Sequence, residues 1–310
     1  MSVPGFDWSD LIFFLELARQ GRLVPAAKRL RADHTTVSRR IAELERALHC
    51  KLFDRNPNGF MLTDAGQKLF AYAESMENNA LAISENVGGI ATEPGGRVRI
   101  ATMEGIGSFY LAPRLTKLRE SFPAIRIELV TERHLINLTK READISLSFA
   151  QIVGPKLVSE KIGTFQLRLY ASPSYIQRHG LPSSIAELDQ HDFVDYIDGY
   201  VSIPEVRWLH DVLIPSRVVF ESSSMIAQQN AAAAGLGMVL LPSFSAALDS
   251  RLVPILVDDV SVMRTIWLTA HEDHQYLSRM KTVKRFIKTL VAEDQAFLNG
   301  GQPIAGKLRA

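Results

Sequence analysis

The sequence predicts an α+β chain of more than one domain: an N-terminal winged helix-turn-helix, a long linking helix and a C-terminal α/β domain. Three observations carry this. At 310 residues the chain exceeds one average domain. Its cations concentrate early: ten Lys/Arg against four acids from Arg19 to Arg55, then one against four from Asn56 to Ile90. After Arg97, short apolar runs of strand length alternate with segments of helical period. A composition 46% hydrophobic and 22% charged describes a globular protein able to bury a core. The net charge of +1 identifies no partner; the basic segment beside a neutral or acidic remainder is the footprint of a nucleic-acid module joined to something else.

From Trp8 to Arg19, apolar groups at Leu11, Phe14, Leu15 and Ala18 have the spacing of an amphipathic helix, which Gly21 ends. Pro25 suits the first turn of a short second helix ending at Leu30, with the small Ala26 and Ala27 turned to a core. Asp33 is placed to cap a third helix reaching about His49, with Val37, Ile41, Leu44 and Leu48 inside. Two short helices joined by a tight turn form the helix-turn-helix pattern. Asn56-Pro57-Asn58-Gly59 between Leu52-Phe53 and Phe60-Met61-Leu62 reads as a hairpin, the wing.

The third helix carries the sharpest signal. Major-groove reading needs short polar side chains near a helix N-terminus and cations that reach base edges or phosphates. His34, Thr35, Thr36, Ser38, Arg39 and Arg40 supply these; either arginine could pair with guanine while the other neutralises a phosphate. Lys51 and Arg55 near the wing, with Arg22 and Lys28 near the first helices, are candidate phosphate contacts.

Thr63 or Asp64 can cap a helix running to about Val87. Leu69, Ala73, Met76, Ala80, Ile83 and Val87 form a heptad seam along it, a candidate dimer contact; a helix lying on its own domain is the other reading. Glycines and Pro94 follow as a linker. Strands at 97–102, 125–131 and 143–149, with helices at 111–121 and 134–141, give a βαβαβ order and imply a parallel sheet. A second set follows, with strands near 166–171, 193–196, 216–221, 239–241 and 266–270. Helices are expected near 185–188, 224–234 and 276–292.

These N-terminal residues, from Trp8 to about Leu69, resemble the DNA-binding domain of LysR-type transcriptional regulators. The likeness rests on Gly21, Ala26-Ala27 and Leu30; on Thr36-Val37-Ser38-Arg39-Arg40-Ile41, Leu44-Glu45 and Leu48; and on Leu52-Phe53, Arg55, Leu62-Thr63 and Ala65-Gly66. The remainder is similar to the family's periplasmic-binding-protein-like effector domain at Val98-Arg99-Ile100, Leu111-Ala112-Pro113, Phe122-Pro123, Ala143-Asp144-Ile145, Ala171-Ser172-Pro173, Gly235-Leu236-Gly237 and Leu241-Pro242. The resemblance implies boundaries at 1–63, 64–92 and 93–300, with a tail at 301–310. It implies one lobe at about 93–166 plus 271–300 and another at about 167–270, with hinge crossings near Arg168–Ala171 and Trp267–Ala270. It implies double-stranded DNA, a small-molecule effector and the chain itself as partners, in a dimer that assembles into a tetramer, with RNA polymerase as a further contact.

Ligands of such two-lobed domains lie outside the carboxyl ends of strands, beside helix N-termini. This places Thr102, Met103, Phe149, Ala150 and Ser222-Ser223-Ser224 near the cleft, the serines also being placed to cap a helix. Three positions depart from the family: Arg22 where Ser is common, Asp33-His34 where a hydroxylic residue and Gln are common, and Met103 where a Ser or Thr often holds a ligand carboxylate. The operator is therefore not transferable, and the lost hydroxyl weighs against a small-anion effector.

Enzyme chemistry finds no constellation: no phosphate-binding loop, nucleophile elbow or dinucleotide fingerprint is present. The single Cys50 ends the third helix, and His271, Glu272, Asp273 and His274 read as a solvated helix entry rather than a metal site. No catalytic residue and no cofactor is expected. A pure solute-binding or sensing protein, the alternative, would lack the basic module and carry an export signal; acidic Asp7 and Asp10 argue against one here and for a cytoplasmic location.

Overall fold

A computed structural model describes residues 5–57, 59–87, 93–131, 143–199 and 208–301, without the side chains of 78, 82, 85–87, 274 and 275. The helix expected at 134–141, Asn58 of the turn, the side chains of Val87 and His274 and most of the tail lie outside the described residues. The chain divides into two compact units, 1–91 and 92–310.

The first unit opens with α1 (Asp10–Gln20), α2 (Leu23–Leu30) and α3 (His34–Ala47). Phe14, Leu15 and Leu17 of α1, Ala26 and Ala27 of α2, and Val37, Ile41 and Leu44 of α3 form one core. Gly21, at φ +65°, closes α1 by donating its N–H to the Leu17 carbonyl. Asp33 occupies the cap position of α3 in extended backbone, but its side chain makes no capping bond, contrary to the sequence expectation. The wing is β1 (Phe53–Asn56) against β2 (Gly59–Leu62), registered Phe53 to Leu62 and Asn56 to Gly59. It is stitched to the helices: the Phe60 N–H donates to the Gly21 carbonyl at 2.8 Å. At Gly59, φ is +133° and a Cβ would stand 2.2 Å from that same oxygen, so only glycine lets wing and helix turn meet.

Helix α4 (Asp64–Val87) is capped by Thr63, whose hydroxyl oxygen accepts from the Gly66 N–H at 3.0 Å. Gly66 itself lies against the Leu52 carbonyl; an added Cβ would be 2.1 Å from it. The first half of the α4 seam faces its own module: Ala73 is buried in the core, with Leu69 and Met76 packed against it. Arg19 ties the same stretch to α1 through Glu77, at 2.6 and 3.0 Å, and Glu74 at 3.3 Å. Beyond Met76 the stripe emerges, with Ala80 exposed and Ile83 61% exposed.

The second unit is built on a mixed sheet. Its strands are β3 (Gly96–Thr102), β4 (Ile125–Thr131), β5 (Ile145–Ser148) and β6 (Leu157–Ala171), with β9 (Val239–Pro242), β10 (Val253–Ile255) and β11 (Val262–His271); β7 (Phe193–Asp195) and β8 (Val218–Glu221) pair separately. The order is β10-β6-β11-β5-β3-β4, with β9 on β6. β3 runs parallel to β4 and β5, as the βαβαβ order predicts, while β6 and β11, outside that run, are antiparallel to their neighbours. The long β6 and β11 pass between the lobes side by side, with a register shift at Ile266/Trp267. Leu167–Ala171 of β6 pair with β9 and β10.

The helices are α5 (Leu115–Ser121), α6 (Pro173–His179), α7 (Met225–Ala233), α8 (Ser243–Ala246), α9 (Ser278–Glu293) and α10 (Gln295–Leu298). A wider π-type turn at Ile106–Leu111 precedes α5. An aromatic chain, Tyr110–Phe244–Phe165–Phe149–Trp208, has successive ring centroids 4.6–5.9 Å apart and fills the region where the strands cross. Among the described residues, no helix is long and apolar enough to cross a membrane.

Candidate functional site

On the outer face of α3, His34, Thr35 and Arg39 are exposed, Thr36 and Ser38 half-buried. This arrangement follows from the burial of Val37, Ile41 and Leu44, which fixes the rotation of the helix. Between α3 and the wing lies a concavity of 480 Å³ whose wall includes Ser38, Ala42, Lys51, Arg55 and Phe60. Arg55 stands 5.2 Å over the Phe60 ring, which braces the wing cation while leaving it exposed. Lys28 and Arg22 are exposed on and before α2.

Not every cation of the basic segment serves this face. Arg39 is 62% exposed and pairs loosely along the helix with Glu43 at 3.0 Å, a contact a phosphate or base could replace. Arg40 is different. Its Nη1 donates to Asp10 at 2.9 Å and Asp7 at 3.1 Å, and its guanidinium lies 5.6 Å from the Phe13 ring centroid. One residue along a helix is about a 100° turn, enough to point Arg40 at α1 instead of outward. In this structure Arg40 braces α3 against α1 while Arg39 extends outward.

Two largely covered acids, which the sequence reading missed, hold this face in place. Glu45 accepts from the amides of Leu52 and Phe53 at 2.8 and 3.4 Å and from Lys51 Nζ at 2.7 Å. Burial pushes its carboxyl up, yet the Lys51 ammonium and the two amides outweigh that and hold it below the usual range. Lys51, 79% exposed, thus keeps its ammonium anchored at the wing root. Glu16, also buried, takes Arg29 at 3.3 Å and Gln20 at 2.8 Å. The visible signal for such residues is a carboxylate in the apolar phase of a helix.

In the second unit, Thr102 is buried at the end of β3 and Met103 half-buried beyond it. Phe149 is buried in the aromatic chain, so it packs the crossing instead of lining open space; Ala150 next to it accepts from the Ser148 hydroxyl at 2.7 Å. Ser222 and Ser224 organise the start of α7: the Ser224 N–H donates to Ser222 Oγ, and Ser224 Oγ accepts from the Ala227 N–H. Ser223 is half-buried between them. The sequence reading passed over Glu104, which meets the start of α7 at Ser224, because nothing local announces a partner from a distant segment. No group of three His, Cys, Asp or Glu able to hold a metal occurs among the described residues.

Residues 91–293 match the family model for the LysR substrate binding domain, and residues 8–67 match that of the bacterial regulatory helix-turn-helix protein, lysR family. The chain belongs to the LysR family of transcriptional regulators. Among curated relatives, an HTH-type transcriptional regulator of Xanthomonas campestris is 30% identical over 185 residues, covering 60% of this chain and 54% of the relative. The Escherichia coli regulator DmlR is 27% identical over 180 residues, covering 58% and 59%. The matched part therefore spans between half and three fifths of the length of these two relatives. The solved structure of CrgA, a LysR-type transcriptional regulator from Neisseria meningitidis, is 24% identical with a TM-score of 0.54, covering 92% of this chain and 98% of that one, a likeness of fold. Within the LysR frame, α1–α3 and the wing are the helix-turn-helix region and β3–α9 the substrate-binding region.

Proposed function

We propose that this chain is a sequence-specific DNA-binding transcriptional regulator, acting in the cytoplasm and without catalytic activity of its own, whose activity is set by a small molecule held between the two lobes of the 92–310 unit. The observation that supports it best is the row on α3 of exposed His34, Thr35 and Arg39 with half-buried Ser38, beside the wing cations Lys51 and Arg55. Short hydroxylic groups and one extended arginine suit base edges, while Arg22, Lys28, Lys51 and Arg55 suit the flanking phosphates. An effector alters DNA binding only if it prefers one arrangement of the protein over another. Target DNA is found by footprinting the purified protein on its own upstream region. On that site Arg39→Ala is expected to weaken binding by about 1–3 kcal/mol and relax one base preference. Unchanged affinity and unchanged preference in Arg39→Ala would remove α3 as the reading element.

Two such modules on adjacent major grooves require a dimer. With Leu69, Ala73 and Met76 spent on the module's own core, the self-contact falls to the emerging half of α4, at Ala80, Ile83 and the neighbouring Leu81, which is 42% exposed. Assembly to a tetramer then uses the second unit, and RNA polymerase is a further partner on the promoter. Ile83→Lys is expected to yield monomers by light scattering; dimers that persist in Ile83→Lys would locate the contact elsewhere.

A further inference from the structure

Strand β3 ends at Thr102, and the chain then meets the start of α7 from the other lobe. The Ser224 hydroxyl donates to the Glu104 carboxylate, 3.1 Å from each oxygen, and the Ile226 N–H points to it at 3.5 Å. Ser224 is the cap of α7, its oxygen engaged by the Ala227 N–H at 3.2 Å, so its one O–H is free for Glu104. Beside this pair Met225, buried, lies against Gly105: a Cβ there would be 2.7 Å from both Sδ and Cε. A side chain at 105 would require the flexible end of Met225 to move aside.

The first turn of this nine-residue helix presents amides without intrahelical partners and the positive end of the dipole, which is where the acidic group of a captured molecule would settle. The chain supplies that group itself. We infer that Glu104 is an internal ligand, seated at the start of α7 in place of an effector anion and latching the two lobes together, so that the cleft selects neutral or cationic molecules and admits a carboxylate or sulfate only when Glu104 is displaced. The inference rests on the reading of the 92–310 unit as effector-binding. A second carboxylate at the same helix start would face the charge of the first. The rest of the neighbourhood agrees. Burial, reinforced by the negative charge of Glu104, pushes the Tyr196 phenol above its usual range, keeping it neutral. Tyr196 stands edge-on to Trp208 with centroids 6.5 Å apart. A neutral phenol beside a carboxylate suits an uncharged or positively charged organic group.

The test uses the full chain, Glu104→Ala and Glu104→Gln. Hydrogen exchange at the Ile226 and Ala227 amides reads the latch without DNA or effector. Exchange is expected to be about tenfold faster in Glu104→Ala. Sodium benzoate or sulfate, against sodium chloride at matched ionic strength, should restore protection and raise the melting temperature of that variant while leaving wild type unmoved. Glu104→Gln keeps the volume and a hydrogen-bond acceptor but not the charge, and should also gain benzoate binding. Equal exchange in wild type and Glu104→Ala, or wild type binding benzoate as tightly as either variant, overturns the latch. Duplex binding measured on the same samples keeps the two readings apart: a chain that binds no DNA but shows the Glu104-dependent exchange refutes the regulator and leaves the latch standing.

Discussion

Asp294→Ala is expected to lower the stability of the second unit by about 3–5 kcal/mol, the cost of leaving a buried guanidinium without its counter-charge. Arg114 and Asp294 are 6% and 5% exposed and meet at 2.7 Å. Arg114 also donates to the Tyr110 carbonyl at 3.0 Å, and its guanidinium lies 4.3 Å from the Tyr110 centroid and 5.3 Å from that of Phe297. The Tyr110 hydroxyl donates to the Leu290 carbonyl at 3.1 Å. The pair therefore sits where the turn after β3, the end of α9 and α10 converge. Its desolvation is already met in the folded protein, so the effect of the single substitution comes from the orphaned charge rather than from the lost attraction. The measurement is urea unfolding of Asp294→Ala against the double variant Arg114→Met/Asp294→Leu. The double variant should recover most of the loss, since a buried pair is replaceable by apolar groups of similar volume. A single variant as stable as wild type would remove the pair from the account of this unit.

Arg40→Ala is expected to act on folding of the first unit, with the folded fraction binding duplex DNA nearly as wild type does. The Asp10 side chain is 4% exposed, so Arg40→Ala leaves a nearly buried carboxylate without its counter-charge and lowers the urea midpoint of this unit at neutral pH. The pH dependence has a definite sign. Burial raises the Asp10 carboxyl above its usual value even with Arg40 opposing it. A carboxyl whose folded pKa is raised binds its proton more readily folded than unfolded. Its burden on stability is therefore absent in acid and grows as pH climbs from the unfolded value through the folded one. The Arg40→Ala deficit should shrink correspondingly in acid. A variant of wild-type stability that fails to bind DNA would return Arg40 to the groove.

These two arginines also mark how far the sequence could be read. The helix-turn-helix was legible because Leu11, Phe14, Val37, Ile41 and Leu44 repeat at the helical period, and the wing because Pro57 and Gly59 punctuate two short apolar runs. The length of α4 was legible from its unbroken period and the Thr63 cap. Periodicity, however, finds a stripe without finding what covers it. Leu69, Ala73 and Met76 continue one pattern with Ala80 and Ile83, yet the first three are covered by their own module and the last two emerge from it.

The sequence by itself determined the two-part organisation, the helix-turn-helix and the parallel β3–β4–β5 core, because all three are written in local period and charge. Tertiary structure alone decided that Arg39 faces outward while Arg40 braces α1, a difference of one residue on a helix whose rotation is set by its buried face. It alone decided that β6 and β11 run antiparallel through both lobes: the Lys, Glu and Gly of 157–165 dilute the strand signal, and direction follows from the partner strand. It alone brought Glu104 to Ser224, 120 residues away in sequence. No local pattern marks a carboxylate whose partner is the end of a distant helix, since that pairing is fixed by chain topology.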